Sequence, residues 1–74
     1  MPGLPVVSGA EAVRRFERAG WVVVRHKGSH AMLTHPQVLA TLSIPQHREL
    51  DRGLLRALIR AADMTVDEFV RLGT

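Results

Sequence analysis

The chain has no cysteine, one tryptophan, two phenylalanines and a single lysine, Lys27. Without cysteine there is neither a disulfide staple nor a thiolate metal site, and a reducing compartment is the natural setting. Long apolar runs are missing too. The longest, Trp21 to Val24, has four residues, far short of a membrane span. The opening "MPGLPVVSG" lacks the charged flank and extended apolar stretch of a secretion signal. These absences lead to the expectation of a soluble cytoplasmic protein without membrane contact. Acidic charge is in the minority: seven carboxylates face ten basic residues, nine of them arginine, for a formal charge of +3. The rigid donor fork of arginine suits phosphate and carboxylate, so a nucleic acid or an acidic protein is the partner class the balance points to. Arginine-rich composition also arises in GC-rich genomes, so charge alone does not decide. Seventy-four residues make one small domain, which buries only about 60 to 65% of its unfolded surface.

What the sequence does contain is clear periodicity. Ser8 and Glu11 form an S-x-x-E capping box. Ala10, Val13, Phe16 and Ala19 then follow at near-helical spacing, with Arg14, Arg15 and Arg18 between them and Gly20 as a stop. The spacing predicts a helix over about 9–19. "WVVVRHKGSHAMLTHPQVLATLSIP" reads as three strands, with tight turns expected at Lys27-Gly28 and Pro36-Gln37. Asp51 caps a second helix, and Leu50 and Leu55 are placed as a hydrophobic staple. Leu54, Leu55, Leu58, Ile59 and Ala62 form its apolar stripe, while Arg52, Arg56 and Arg60 recur every four residues on another face. Thr65 and Glu68 repeat the capping box before a short helix carrying Val66, Phe69 and Leu72. The fold class predicted is α+β: a two-layer sandwich of order α-β-β-β-α(-α), its three-stranded antiparallel sheet covered by helices on one face.

Three of the four histidines crowd into "RHKGSHAMLTHP", residues 25–36. A Lys27-Gly28 turn sets Arg25 opposite His30, Val23 opposite Met32 and Trp21 opposite Thr34. The second turn sets Leu33 opposite Ala40 and His30 opposite Ser43. One face then carries Val22, Val24, Ala31, Leu33, Ala40, Leu42 and Ile44 and takes the helices. The other carries Arg25, His30, Ser43, Thr34 and Thr41, with Val23, Met32, Leu39 and Trp21, and stays open. A slip of one residue would bury Arg25 and His30 together without partners, which is costly.

On that open face His30 has two readings. It is either an ordinary polar residue near a hairpin tip or a proton-transfer group, since imidazole moves protons near neutral pH. Arg25 and Lys27 can both approach a phosphate brought beside it. His26 falls on the helix side next to the turn, and His35 belongs to the second turn, so the three histidines do not converge as a metal site would require. No metal or cofactor is expected. The Arg52, Arg56 and Arg60 stripe is either a solvated face or a surface for RNA or an acidic partner.

"KGSHAMLTHP" followed by "SIPQHRELDRGLLRALIRAADMTVDEF" resembles the HicA/YcfA-type toxins of bacterial and archaeal toxin–antitoxin pairs. The motifs are the G-S-H element at Gly28, Ser29 and His30, the proline-x-histidine at Pro45 and His47, and the helix opening at Arg52 and Gly53. The likeness runs over about residues 8–72, leaving residues 1–7 as a loose N-terminus of one domain. It implies a fold similar to double-stranded RNA-binding domains and a metal-independent ribonuclease that cleaves mRNA. It further implies a catalytic histidine at His30 and a HicB-type antitoxin that covers the active face and supplies any operator-DNA contact. Gly28, Ser29 and Ser43 join Arg25 and Lys27 as candidate RNA or phosphate contacts, and His47 is a candidate second acid or base. The chain departs from the family pattern at Leu54, where threonine is common, and in the short "HPQVL" turn. The alternatives are a non-catalytic RNA-binding module and a partner-binding subunit of a regulatory complex.

Overall fold

The computed structural model describes residues 3–73. Their order is α1 (Gly9–Arg18), β1 (Val22–Lys27), β2 (His30–His35), β3 (Val38–Pro45), α2 (Arg52–Ala61) and α3 (Val66–Arg71). The strands form one antiparallel sheet in the order β1-β2-β3. Helix α1 packs on β1 and β3, α2 packs on β3, and α3 packs on α2. This is the α+β arrangement expected, with the helices on one side of an open sheet. Among the described residues no helix is long and apolar enough to cross a membrane.

Local chemistry places the helix ends. The Ser8 hydroxyl accepts from the Glu11 amide at 3.0 Å and caps α1. The reciprocal half of that capping box does not form. The Glu11 carboxylate turns to Arg15 (2.9 Å) and Arg14 (3.0 Å), and these two guanidinium groups hold its pKa below the ordinary value. After Ala19 the chain leaves the helix through Gly20, whose φ of 97° suits only glycine. Asp51 caps α2 by accepting from the Leu54 amide at 3.1 Å, and the staple residues Leu50 and Leu55 are both buried. At α3 the capping box is complete, with Thr65 and Glu68 exchanging bonds of 2.9 and 3.1 Å.

The core is built on Phe16, which is fully buried and meets the edge of Trp21 at 6.4 Å and the ring of Phe69 at 5.2 Å. Ala31, Leu33, Leu42 and Ile44 supply the sheet side, and Leu55, Leu58 and Ile59 of α2, with Ala62 at its C-cap, supply the helix side. Ala10, expected on the apolar face of α1, is exposed, and Ala12 takes that place on the buried stripe it shares with Gly9 and Phe16. The N-terminal stretch, expected to be loose, packs against the rest. Leu4 and Val7 are buried, and the Val7 carbonyl accepts from the Leu50 amide at 2.9 Å; Met1 and Pro2 lie outside the described residues.

Two arginines of α1 tie the last helix down. Arg15 sits over the Phe69 ring at 5.1 Å and donates to the Phe69 carbonyl at 3.4 Å. Arg18 donates to the Leu72 carbonyl. Part of the arginine content therefore works inside the fold, where it satisfies carbonyls at the C-terminal end of α3.

At Gly9 the start of α1 lies directly against the backbone at the end of β3. The Gly9 amide donates to the His47 carbonyl at 2.9 Å, and a Cβ there would stand 2.2 Å from the Pro45 carbonyl oxygen. The obstacle is backbone, which cannot rotate away. Gly9→Ala is expected to destabilise the protein by about 2 kcal/mol or more, as overpacking does, seen as a lower urea midpoint with little change in slope.

Candidate active site

Everything at the site depends on strand register. The first hairpin turns at Gly28-Ser29, one residue later than the expected Lys27-Gly28 turn. Two-residue hairpins that need positive φ at the first central position place glycine there, and Gly28 has φ 60°. Lys27 therefore stands opposite His30, His26 opposite Ala31, and Arg25 opposite Met32. Arg25, expected opposite His30, is displaced one pair down the same face.

Two irregularities then reset the rest. Between Val23 and Arg25 the ladder slips by one residue, so Val23 pairs with Leu33 and Val22 with Thr34. A slip of one exchanges the faces. Trp21, expected on the open face, is buried, and Val23 packs against the core. Val22 and Val24, expected under the helices, are more than half exposed. In the second hairpin the turn at Pro36-Gln37 pairs His35 with Val38 as expected, and an irregularity then shifts the ladder by two. Leu33 meets Leu42 rather than Ala40, and His30 meets Pro45 rather than Ser43. A shift of two leaves the faces unchanged, so Ser43 still shares the open face with His30.

His30 is half-buried, and its Nδ1 lies 2.8 Å from the Ser43 Oγ, reached diagonally across β2 and β3. Among the described residues no hydrogen bond engages its Nε2. Lys27, His30, Met32 and Ser43 line an open depression of about 330 Å³. That is near the lower end of the range for ligand sites, which fits one ring-sized or phosphate-sized group. Lys27 brings a cation from the pair directly opposite His30, Met32 brings an apolar wall, and exposed Arg25 extends the positive face behind Met32. The Ser29 carbonyl accepts from the Gln46 amide at 2.7 Å, which ties the hairpin tip to the end of β3.

The other candidates are not brought there. Gly28 and Ser29 shape the turn and do not line the depression. A Cβ on Gly28 would meet nothing within 4 Å, so the demand for glycine is conformational. His47 is exposed in the loop after β3 and is absent from the walls of the depression. Arg52, Arg56 and Arg60 are exposed on α2, in the helix layer on the far side of the sheet from His30. His26 faces the helix side, as expected from alternation. His35 is structural: its Nδ1 accepts from the Gln37 amide at 3.0 Å, its Nε2–H donates to the Ala19 carbonyl at 3.1 Å, and its ring lies 5.3 Å from that of Trp21. Among the described residues no three histidine or carboxylate side chains gather as a metal site.

The sequence carries one further signal of this face. All seven carboxylates fall at Glu11, Glu17 or from Glu49 onward, so the whole sheet lacks an acidic residue. Its open face carries Arg25 and Lys27 with no countercharge on any strand, a one-sided charge of the kind that favours anions.

The geometry thus sets a histidine, its hydroxyl partner and a lysine at the tip of a G-S-H hairpin on an uncovered, positive sheet face. The family described as HicA toxin of bacterial toxin-antitoxin matches residues 9–64, from the first turn of α1 to just beyond α2. This chain belongs to the HicA toxin family. Comparison with curated proteins gives no match. Membership makes it the toxin type of a bacterial toxin–antitoxin system, for which an antitoxin is the implied partner. The matched stretch holds the whole sheet and every residue around the depression, while α3 lies beyond it.

Because Gly28 serves backbone conformation and not contact, its substitutions should sort by tolerance of positive φ. Gly28→Asn is expected to lose about 1 kcal/mol and Gly28→Val about 2 kcal/mol, because any L side chain is strained there and a β-branched one most, both read from urea denaturation.

Proposed function

We propose that this HicA-family chain is an mRNA interferase, the toxin of a type II pair that acts in the cytoplasm and is restrained by a HicB-type antitoxin. The observation that supports this most is the lone, Ser43-anchored His30 on a sheet face whose only formal charges are basic. An anionic polymer is drawn to that face, and the depression takes one phosphate or one base at a time.

The chemistry follows from the groups present. The unengaged Nε2 of His30 accepts the proton of the RNA 2′-hydroxyl, and the 2′-oxygen bonds to the adjacent phosphorus. The bond from phosphorus to the 5′-oxygen breaks, and that oxygen takes a proton from the imidazolium or from solvent. The products are a 2′,3′-cyclic phosphate and a 5′-hydroxyl, so charge and protons balance with no external co-reactant. Lys27 neutralises the charge that develops on the non-bridging oxygens, with Arg25 holding the neighbouring phosphate. Met32 offers an apolar surface for a base. His47, off the depression, is not needed in this scheme.

The same face explains inhibition. An antitoxin laid on the open sheet covers His30 and Lys27 at once, and operator DNA is contacted through the antitoxin. Arg52, Arg56 and Arg60 stand on the other layer, where they can meet RNA or an acidic partner without touching the reaction.

His30→Ala is expected to lower cleavage of RNA by purified protein at least about 100-fold and to abolish growth arrest on expression. Salt-sensitive RNA binding should persist in this variant. Undiminished cleavage by it would refute the assignment, and binding without cleavage by the unsubstituted protein would instead identify an RNA-binding module.

A further inference from the structure

Ser43 was expected to contact RNA, and its position suggests a different task. Its Oγ lies 2.8 Å from Nδ1 of His30, on the side of the ring away from the free nitrogen. We infer that Ser43 is a positioning residue that holds His30 through Nδ1 in each protonation state, so that Nε2 alone gives and takes the proton. The inference rests on the ribonuclease reading above.

The Ser43 hydroxyl suits that task. It carries one donor proton and two acceptor lone pairs. When Nε2 is the base, the neutral ring carries its proton on Nδ1, and Nδ1–H donates to Oγ. When the ring has become imidazolium, Nδ1–H donates to the same Oγ, with no atom displaced. A carboxylate in that place would favour the charged ring over the neutral one. A backbone amide would require Nδ1 to be an acceptor, which leaves Nε2 protonated and useless as a base. The hydroxyl is the partner that does not oppose either half of the cycle, and a site with one histidine must pass through both halves.

Placement on the strands reinforces this. Ser43 stands opposite Met32, not opposite His30, and reaches the ring along the diagonal that aromatic and long side chains span between neighbouring strands. Its backbone neighbours Leu42 and Ile44 are fully buried in the core. The hydroxyl is therefore fixed by a strand anchored on both sides, while His30 is the first residue of β2 beside a turn. A partner fixed within β3 orients a ring at the end of a hairpin, and an error of about 1 Å in such orientation costs roughly 100-fold in rate.

The test compares the unsubstituted protein with Ser43→Ala and Ser43→Thr, measuring steady-state cleavage of a short RNA and the ring ¹⁵N resonances of His30. Ser43→Ala is expected to lower kcat about 10- to 100-fold with KM nearly unchanged, and to shift the neutral His30 ring toward the Nε2-protonated tautomer. Ser43→Thr, which keeps the hydroxyl, is expected to restore kcat and the Nδ1-protonated signal. Equal kcat in Ser43→Ala and the unsubstituted protein overturns the positioning role alone. So does a loss in Ser43→Thr as large as in Ser43→Ala, or a rise in KM that carries the whole effect. Failure of the unsubstituted protein to cleave RNA overturns the ribonuclease reading and this inference together.

Discussion

The Gly28-Ser29 turn fixes which side chains of β1 and β2 stand opposite one another, and the site follows from that pairing. With Gly28 at φ 60° the hairpin closes over two residues and sets Lys27 directly across from His30. Period-two alternation then keeps Arg25, Lys27, His30 and Met32 on one face, and Ala31 and Leu33 on the other. The buried set cannot move without exposing the core, so the open set cannot move either. A surface reaction centre thereby inherits the rigidity of the apolar layer behind it.

That layer is held by few, well-placed groups. Phe16 joins Trp21 to Phe69, so α1 contacts both the start of the sheet and the last helix. Arg15 and Arg18 reach from α1 to carbonyls at the end of α3, while Gly9 lets α1 lie against Pro45 and the loop that carries His47. Because all of this packing falls on one side, the other side of the sheet is left uncovered. Under the proposed function, this uncovered positive face serves two partners in turn, substrate and antitoxin.

Helix ends were legible in the sequence because their chemistry is local. Ser8, Asp51 and Thr65 each cap a helix within three residues, and Gly20 ends one by its own conformation. The element order and the solvent-facing side of His30 followed from periodicity for the same reason. Register was harder, since pairing depends on which residue a turn prefers at each position and on ladder irregularities that no spacing announces. The slip beside Val24 moved Trp21 and Val23 to the core and sent Val22 to solvent. The two-residue shifts were harmless to the faces but changed the partners, which is why Lys27 and not Arg25 faces His30, and why Ser43 reaches it on the diagonal. The absence of carboxylates from the strands could have been read from the sequence, and it strengthens the case for an anionic substrate.

Under the proposed function His30 makes the RNA attack itself through its 2′-hydroxyl, and water is not the nucleophile of the cleavage step. The ends of the cleaved RNA report on this directly. Mass spectrometry of a short RNA cut by the purified protein in the presence of a chelator should find a 2′,3′-cyclic phosphate or its 2′- or 3′-phosphate hydrolysis product upstream, and a 5′-hydroxyl downstream. Products ending in a 3′-hydroxyl and a 5′-phosphate would contradict the account, because those ends require attack from outside the RNA.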